Sequence, residues 1–496
     1  MDETIIIETR PMDTRAAVLE DGRLMELICQ REGEGGMTGN IYLGRVETVL
    51  KGMQAAFVDI GLDKNAFLSL DDFTFSANDF GKDEEKLKRS LNASRKLRPG
   101  DEIPVQIVKV PGGDKGVRVS SHLSLPGRIC VLLPTTEGIG VSRRIENAEE
   151  RERLRLIAEN VKPEGMGVIV RTAAENADED DIRRELQSLS LEWASLQKRI
   201  QCVKAPRELK NDSDLVYRVV RDLLYENVDR VILEDEEAFE RARNAAGTLA
   251  PDLLSRIELE KSDIPLFTRM NVKAQLEHAL SRRVWLKSGG YLVIDRTEAM
   301  TVIDVNTGKF VGNTSLNDTI FRINLEAAEE IARQLRLRDI GGIVVIDFID
   351  MDTDEKKQAL VHTLRQCVKN DRTRVNAIGI TELGLVELTR KRKRETLDSF
   401  MKSACPVCGG AGSVLVPEEI AFDFLGDAEH RLKRDPEITL LGAVSKRVFA
   451  SLEKMNPRLS GVLYAMPDDK RKDSEYTLSP VAERPLPSQA RQIGRN

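Results

Sequence analysis

Gly289-Gly290-Tyr291-Leu292-Val293-Ile294-Asp295, then Thr301-Val302-Ile303-Asp304-Val305-Asn306, then Ile343-Val344-Val345-Ile346-Asp347-Phe348 are the stretches that decide the fold. The first two read as strands of a hairpin entered through the glycine pair. Between the second and the third, Asn317 to Leu337 carries apolar residues at helical spacing. Asn317 or Asp318 is the expected cap of this helix and Gly341-Gly342 the expected stop. The apolar run 343–348 predicts a central strand buried on both faces. A second helix, about Asp354 to Lys369, leads to a strand at Val375–Ile380. This is an α/β region.

Asp304 and Asp347 each stand near the end of an otherwise apolar strand. A carboxylate there is costly unless it is solvated or ligates a cation. Two strand ends of one sheet can bring two carboxylates into one coordination sphere, and oxygen donors of this kind suit Mg2+ or manganese. Such a metal activates water and steadies charge on a phosphodiester in the transition state. Asn306, two residues beyond Asp304, shares its sheet face and can orient it. Each aspartate alone reads equally well as the start of a turn. Asp295, Asp350 and Asp352 are similar carboxylates nearby, so spacing does not choose among them.

Working toward the N-terminus, Asn227–Leu233 predicts a strand and Ile264–Phe267 another, weakened by Pro265. Asp181–Ile200 has Ile182, Leu186, Leu189, Trp193 and Leu196 at helical spacing, and Ser142–Val161 reads as a second helix with alternating Glu and Arg. Gly167–Thr172 is a short buried strand ending in Arg171 and Thr172. A guanidinium fork beside a hydroxyl can hold a phosphate, although a solvated strand end explains the same dipeptide.

Asn40 to His122 holds five short strand patterns with glycine corners, which predicts a small closed barrel with a polar insertion at Asp71–Arg98. Phe57 and Phe67 on its strands, with Lys115, are candidates to stack bases and hold phosphates of a single strand. Burial in the barrel core is the plainer expectation for the two phenylalanines. At the very start, Asp21-Gly22 between alternating runs predicts a hairpin.

Toward the C-terminus, the basic stretch Arg390–Arg394 is expected to be helical. It precedes Cys405-Pro406-Val407-Cys408-Gly409-Gly410, half of a zinc knuckle. Zinc takes four ligands and this segment supplies two. His430 is the only histidine near it, so a second copy of the chain would complete a four-thiolate site. A redox pair is the competing reading, which would normally open a helix in a βαβ unit. The last eighty or so residues look like a small α/β appendage, with Pro480–Asn496 expected to be disordered.

Composition sets the outer bounds. At 496 residues and 41% hydrophobic, the chain is too long for one core and too apolar to be disordered. The net charge of −7 excludes coating nucleic acid by bulk charge, but not recognition through local basic residues. No apolar run is long enough to span a bilayer and the N-terminus lacks the order of a secretory signal, so a cytoplasmic location is expected. The scattered cysteines Cys29, Cys130, Cys202 and Cys367 read as small buried residues rather than a disulfide framework.

Taken together, Gln54-Ala-Ala-Phe-Val-Asp-Ile-Gly61, Ile169-Val-Arg-Thr-Ala173, Lys287-Ser-Gly-Gly-Tyr-Leu-Val-Ile-Asp295, Val302-Ile-Asp-Val-Asn-Thr-Gly308, the segment Ile331-Ala332 to Gly342, Ile346-Asp-Phe-Ile-Asp-Met351 and Cys405-Pro-Val-Cys408 resemble the ribonuclease E/G family, in that family's order and as far as about Val416. With no long scaffold-binding tail, the chain resembles the compact, ribonuclease G-like branch.

The resemblance implies a multi-domain α/β fold. An RNase H-like scaffold (1–38 and 215–280) would carry an inserted OB-type RNA-binding barrel (39–124). A 5′-phosphate sensor (125–214), a DNase I-like catalytic subdomain (281–400), a zinc-link (401–415) and a small C-terminal domain (416–496) would complete it. It implies Asp304 and Asp347 as magnesium ligands with Asn306 as catalytic neighbour, and Phe57, Phe67 and Lys115 as residues gripping RNA. Arg171 and Thr172 would recognise a 5′-monophosphate, while Cys405 and Cys408 share one Zn2+ between two protomers. The implied activity is hydrolysis of single-stranded RNA to 5′-phosphate and 3′-hydroxyl ends, acting on ribosomal RNA precursors and messenger RNA. The unit would be a homodimer through zinc, with a tetramer also open. The rivals are a non-catalytic RNA-binding regulator and a metal-dependent DNA nuclease.

Overall fold

The computed structural model describes residues 2–31, 37–70, 97–110, 116–212, 214–308, 316–369, 371–392, 394, 396–481 and 486–494. Lys115 and almost all of the 71–98 insertion lie outside them. The chain forms two compact units, Met1–Phe400 and Met401–Asn496.

The first unit opens with a five-stranded sheet in the order Ile257–Leu259, Val228–Leu233, Glu3–Arg10, Asp13–Glu20, Arg23–Arg31. Asp21 and Gly22 join the last two with φ of 48° and 73°, the doubly left-handed turn an Asp-Gly pair favours. Helices Leu215–Leu223 and Glu236–Leu249 share a core with this sheet through Val219, Val220, Ala242 and Ala246.

The barrel closes as expected. Ile41–Leu50, Ala55–Asp59, Ala66–Ser69, Arg118–Ser120 and Glu102–Lys109 follow one another, and the last pairs back onto the first. Alternation sends Ala56, Val58, Ala66 and Leu68 inward. A four-stranded sheet follows, built on Cys130–Leu133 and Gly167–Val170. It packs against helices Ala148–Val161 and Glu179–Cys202 through Leu154, Ile182, Leu186 and Trp193.

A six-stranded sheet ends the unit, ordered Arg283–Trp285, Tyr291–Arg296, Met300–Asn306, Gly342–Asp347, Val386–Arg390, Val375–Ile380. The third and fourth strands are parallel, so helix Leu316–Leu337 makes the crossover between them. Its Ile323, Ala327, Ile331 and Leu335, four residues apart, pack on Ile303, Val305, Val344 and Ile346. Helix Asp354–Lys369 covers the same face through Leu360 and Leu364.

The second unit stands on the parallel strands Thr439–Val444 and Val462–Pro467, with Thr477–Pro480 and Arg491–Gln492 antiparallel at the edges. Helices Pro417–Arg434 and Lys446–Lys454 pack on it through Phe424, Leu432 and Val448. Among the described residues, no helix is long and apolar enough to cross a membrane.

Several expectations are corrected. Ile264–Phe267 is not a strand: helix Leu266–Arg269 begins there, with Pro265 before its first turn. Strand 342–347 is buried on one face only, with Ile343 and Asp347 exposed on the other. The long helix ends at Leu337, and the chain turns off it at Asp339, which takes φ of 50°, with the Ile340 N–H donating to the Leu335 carbonyl. Gly341 and Gly342 serve a close approach instead, since a Cβ on either would meet Arg392 at 2.7 and 2.8 Å.

Arg390 ends a strand and is buried rather than part of a basic helix. It donates to Asp371 at 2.8 Å and Asp339 at 2.7 Å, while Arg394 donates to the other Asp339 oxygen at 2.8 Å. The described part of the tail is ordered rather than disordered: Arg491 pairs with Ala465 and Ile493 is buried in the second core.

Candidate functional site

Asp304 and Asp347 are direct neighbours across the two parallel strands, each at the open end of its run. Both point to the face away from the helices and both are exposed. Asn306 Nδ2 donates to Asp304 Oδ2 at 2.7 Å, which ties one oxygen of that carboxylate in place. A shallow cleft of about 330 Å³ runs between them, lined also by Thr307 and Asp350. A larger cavity of about 430 Å³ lies between helices near Leu186 and Leu191, has no titratable lining and is remote from these carboxylates in sequence and sheet.

The geometry sets aside two of the three competing aspartates that spacing left open. Asp295 receives both arms of Arg282, at 2.5 and 2.6 Å, and this partner holds its carboxyl below the usual range. Asp352 accepts from Lys356 at 3.2 Å and from Asn317 at 2.8 Å. The helix begins at Leu316, so Asn317 and Asp318 both lie inside it and neither is its cap. Asp350 alone of the three lines the cleft.

One contributor was missed. Asn324, on the crossover helix and fully buried, donates to the Ile349 carbonyl at 2.7 Å and accepts from the Ile349 N–H at 3.1 Å. It clamps the chain two residues beyond Asp347. The only sequence signal was an asparagine within the apolar stripe of an amphipathic helix.

Among the described residues, no three His, Cys, Asp or Glu side chains converge as a metal cage. Two carboxylates are nonetheless a sufficient protein share for magnesium, which keeps waters and takes substrate oxygens for the rest. At the knuckle, Cys405 and Cys408 lie in a turn closed by the Gly409 N–H donating to the Cys405 carbonyl. The Gly412 N–H donates to Cys408 Sγ at 3.4 Å, and with Gly410 it pulls that thiol below its ordinary range. Amides aimed at sulfur suit a thiolate ligand.

On the barrel, Phe57 and Phe67 pair across adjacent strands with ring centroids 6.2 Å apart, in a T-shaped contact. Both are half-buried and alternate with the inward residues, so they sit on the outer surface and not in the core. Arg118 is the register neighbour of Phe67.

Arg171 and Thr172 follow the strand Gly167–Val170. The Arg171 guanidinium meets Asp222 at 2.8 Å and donates to the Gly127 carbonyl at 2.5 Å; Thr172 Oγ1 is 2.9 Å from Ser142 Oγ. Burial alone would raise the Asp222 pKa, but hydrogen bonding and charge from Arg221, then Arg171, turn the shift downward. Arg171 therefore already holds an anion in this structure.

The family model described as "Ribonuclease E/G family" matches residues 124–393, a span that contains both strand-end aspartates and Arg171. The chain belongs to the ribonuclease E/G family. Ribonuclease G of Salmonella typhimurium (strain SL1344) is 40% identical over 425 residues, 86% of this chain and 87% of the relative. Ribonuclease G of Haemophilus influenzae is 39% identical over 421 residues, covering 85% and 86%. Ribonuclease E of a Synechocystis species is 38% identical over 415 residues, 82% of this chain but 60% of that longer protein. The resemblance drawn from the motifs is thus borne out, as is a mixed α/β fold with an OB-like five-stranded barrel in this ribonuclease E/G family member.

Proposed function

We propose that this chain is an endoribonuclease that hydrolyses single-stranded RNA at the Asp304–Asp347 cleft, leaving 5′-phosphate and 3′-hydroxyl ends. The observation that carries the reading is the direct pairing of Asp304 with Asp347 at open strand ends, with Asn306 bonded to one of them, in a ribonuclease E/G family chain. Asp304 and Asp347 would hold magnesium, with Asn306 fixing the orientation of the Asp304 carboxylate. When bound, the ion supplies Lewis acidity and a lowered pKa for an attacking water. The exposed carboxylates face a cleft open enough for a phosphodiester in an extended strand.

The other residues bind and orient. Phe57 and Phe67 offer ring surface to unpaired bases on the barrel's outer face, with Lys115 as a phosphate partner. Arg171 and Thr172 receive a 5′-monophosphate, which takes over the guanidinium contact now made by Asp222. Cys405 and Cys408 supply half of a four-thiolate zinc site completed by a second copy, giving a homodimer with a tetramer as the next step of assembly. Ribosomal RNA precursors and messenger RNA are the proposed substrates, and the cytoplasm the proposed compartment. The RNase H-like, sensor and DNase I-like assignments of the subdomains belong to the same proposal.

A non-catalytic regulator would need the barrel but not a carboxylate pair opening on a cleft. A DNA nuclease would not need stacking residues for unpaired bases. Matched single-stranded RNA and DNA oligonucleotides, incubated with magnesium, separate the three. Internal cleavage of RNA alone, with 5′-phosphate on the new end, is the expected result. Cleavage of neither points to the regulator, and cleavage of DNA points to the third reading.

A further inference from the structure

The sheet face that carries Asp304 and Asp347 also carries an aromatic cluster that the proposed chemistry leaves unexplained. Trp285, Tyr291 and Asn306 are register neighbours in one row across three strands, and Val293, Asp304 and Asp347 form the next row. The Trp285 and Tyr291 rings meet edge to face with centroids 5.2 Å apart. Arg283, on the same edge strand, places its guanidinium carbon 4.4 Å from the Tyr291 centroid and 5.8 Å from that of Trp285. Trp285 is 60% exposed, which packing does not require of so large an apolar ring.

We propose that Arg283, Trp285 and Tyr291 form a stacking platform that holds an unpaired nucleobase of the RNA beside the Asp304–Asp347 cleft. The proposal rests on the endoribonuclease reading above and adds a substrate subsite to it. Indole and guanidinium planes both stack on bases, and the cation attracts the neighbouring phosphate. Strands lie about 4.8 Å apart and a two-residue step is about 6.8 Å, so Trp285 is roughly 12 Å from Asp304. That is about three nucleotides at a stacked rise of about 3.4 Å, and fewer for an extended strand. The platform therefore lies within reach of a base near the scissile phosphate. Capture of another protein by strand addition is disfavoured, because the edge strand is only three residues long and carries an arginine.

The chain has two tryptophans, and Trp193 is buried in the 125–214 region, so a Trp193→Phe background leaves Trp285 as the reporter. The full chain carrying Asp304→Asn, to prevent cleavage, is titrated with a 5′-monophosphorylated single-stranded RNA of about ten nucleotides. Quenching of Trp285 emission is expected, lost when an abasic residue replaces one or two positions flanking the cut. Trp285→Ala and Tyr291→Ala should each weaken binding about 5- to 150-fold, whereas Trp285→Phe stays within about threefold of the parent. Absence of quenching together with unchanged affinity in Trp285→Ala overturns the proposal. So does a fall in assembly mass by light scattering at unchanged affinity, which would make this face a contact between copies of the chain. Binding and quenching read the platform, while cleavage by Asp304→Asn reads the aspartates, so the two ideas fail separately.

Discussion

Replacing Asn324 by alanine tests how the segment after Asp347 is held. The side chain makes two hydrogen bonds to one residue, donating to the Ile349 carbonyl at 2.7 Å and accepting from its N–H at 3.1 Å. Alanine cannot replace either, and a buried backbone group left without a partner costs about 1–3 kcal/mol. Two such groups set a ceiling of about 6 kcal/mol. Ile349 is only part-buried, so water reaches its backbone and the loss should lie near the lower end, about 2–3 kcal/mol. Because the loss is local, it should appear as opening of residues 348–350 rather than global unfolding. At 1.36 kcal/mol per factor of ten, the Ile349 amide should exchange hydrogen about 30- to 150-fold faster. Asp347, two residues away, would lose its fixed direction, so cleavage should slow and require more magnesium. Hydrogen exchange of the peptide spanning 344–353, with cleavage rates across a magnesium series, measures both. An Ile349 amide that stays protected while cleavage is unchanged would refute the clamp.

Three further outcomes follow from the other parts of the site. Phe57→Ala or Phe67→Ala should weaken RNA binding about 5- to 150-fold and raise KM with kcat at saturation little changed, as steady-state kinetics would show. Asp222, whose folded pKa lies below its ordinary value, contributes stability that is present above about pH 4 and lost as pH falls through the lowered folded value. The difference in urea midpoint between the parent and Asp222→Asn, both in a Trp285→Phe background so that Trp193 reports, should therefore stay constant from neutral pH down to about 5 and shrink below about pH 4. Cys405→Ser with Cys408→Ser should abolish bound zinc, about half an ion per chain in the parent, and reduce the assembly to single chains by light scattering.

How far the amino-acid order reaches is clear from individual residues. Alternation locates strands, and the Asp21-Gly22 turn and the five barrel strands need nothing more. Register is another matter: that Asp304 lies beside Asp347 depends on a 22-residue helix returning the chain in parallel, which no local pattern encodes. Asp295 and Asp304 look alike along the chain, and only Arg282 on a neighbouring segment separates them. Phe57 and Phe67 were better judged by alternation than by the general tendency of phenylalanine to be buried. Asn324 stood out only as an asparagine in an apolar stripe, and its role could not be read because its partner lies 25 positions away. The glycines at 341 and 342 were read as a helix stop, although what they accommodate is an arginine fifty residues on. Arg171, Cys405 and Cys408 carry weak local signals, and their roles entered through the family resemblance.

The most direct test of the central claim is cleavage of a 5′-monophosphorylated single-stranded RNA with magnesium by the parent chain, Asp304→Asn and Asp347→Asn, with RNA binding measured in parallel. The account predicts that both variants bind RNA as the parent does and that both lose cleavage. Cleavage that survives in either variant would contradict it and place the chemistry elsewhere in the fold.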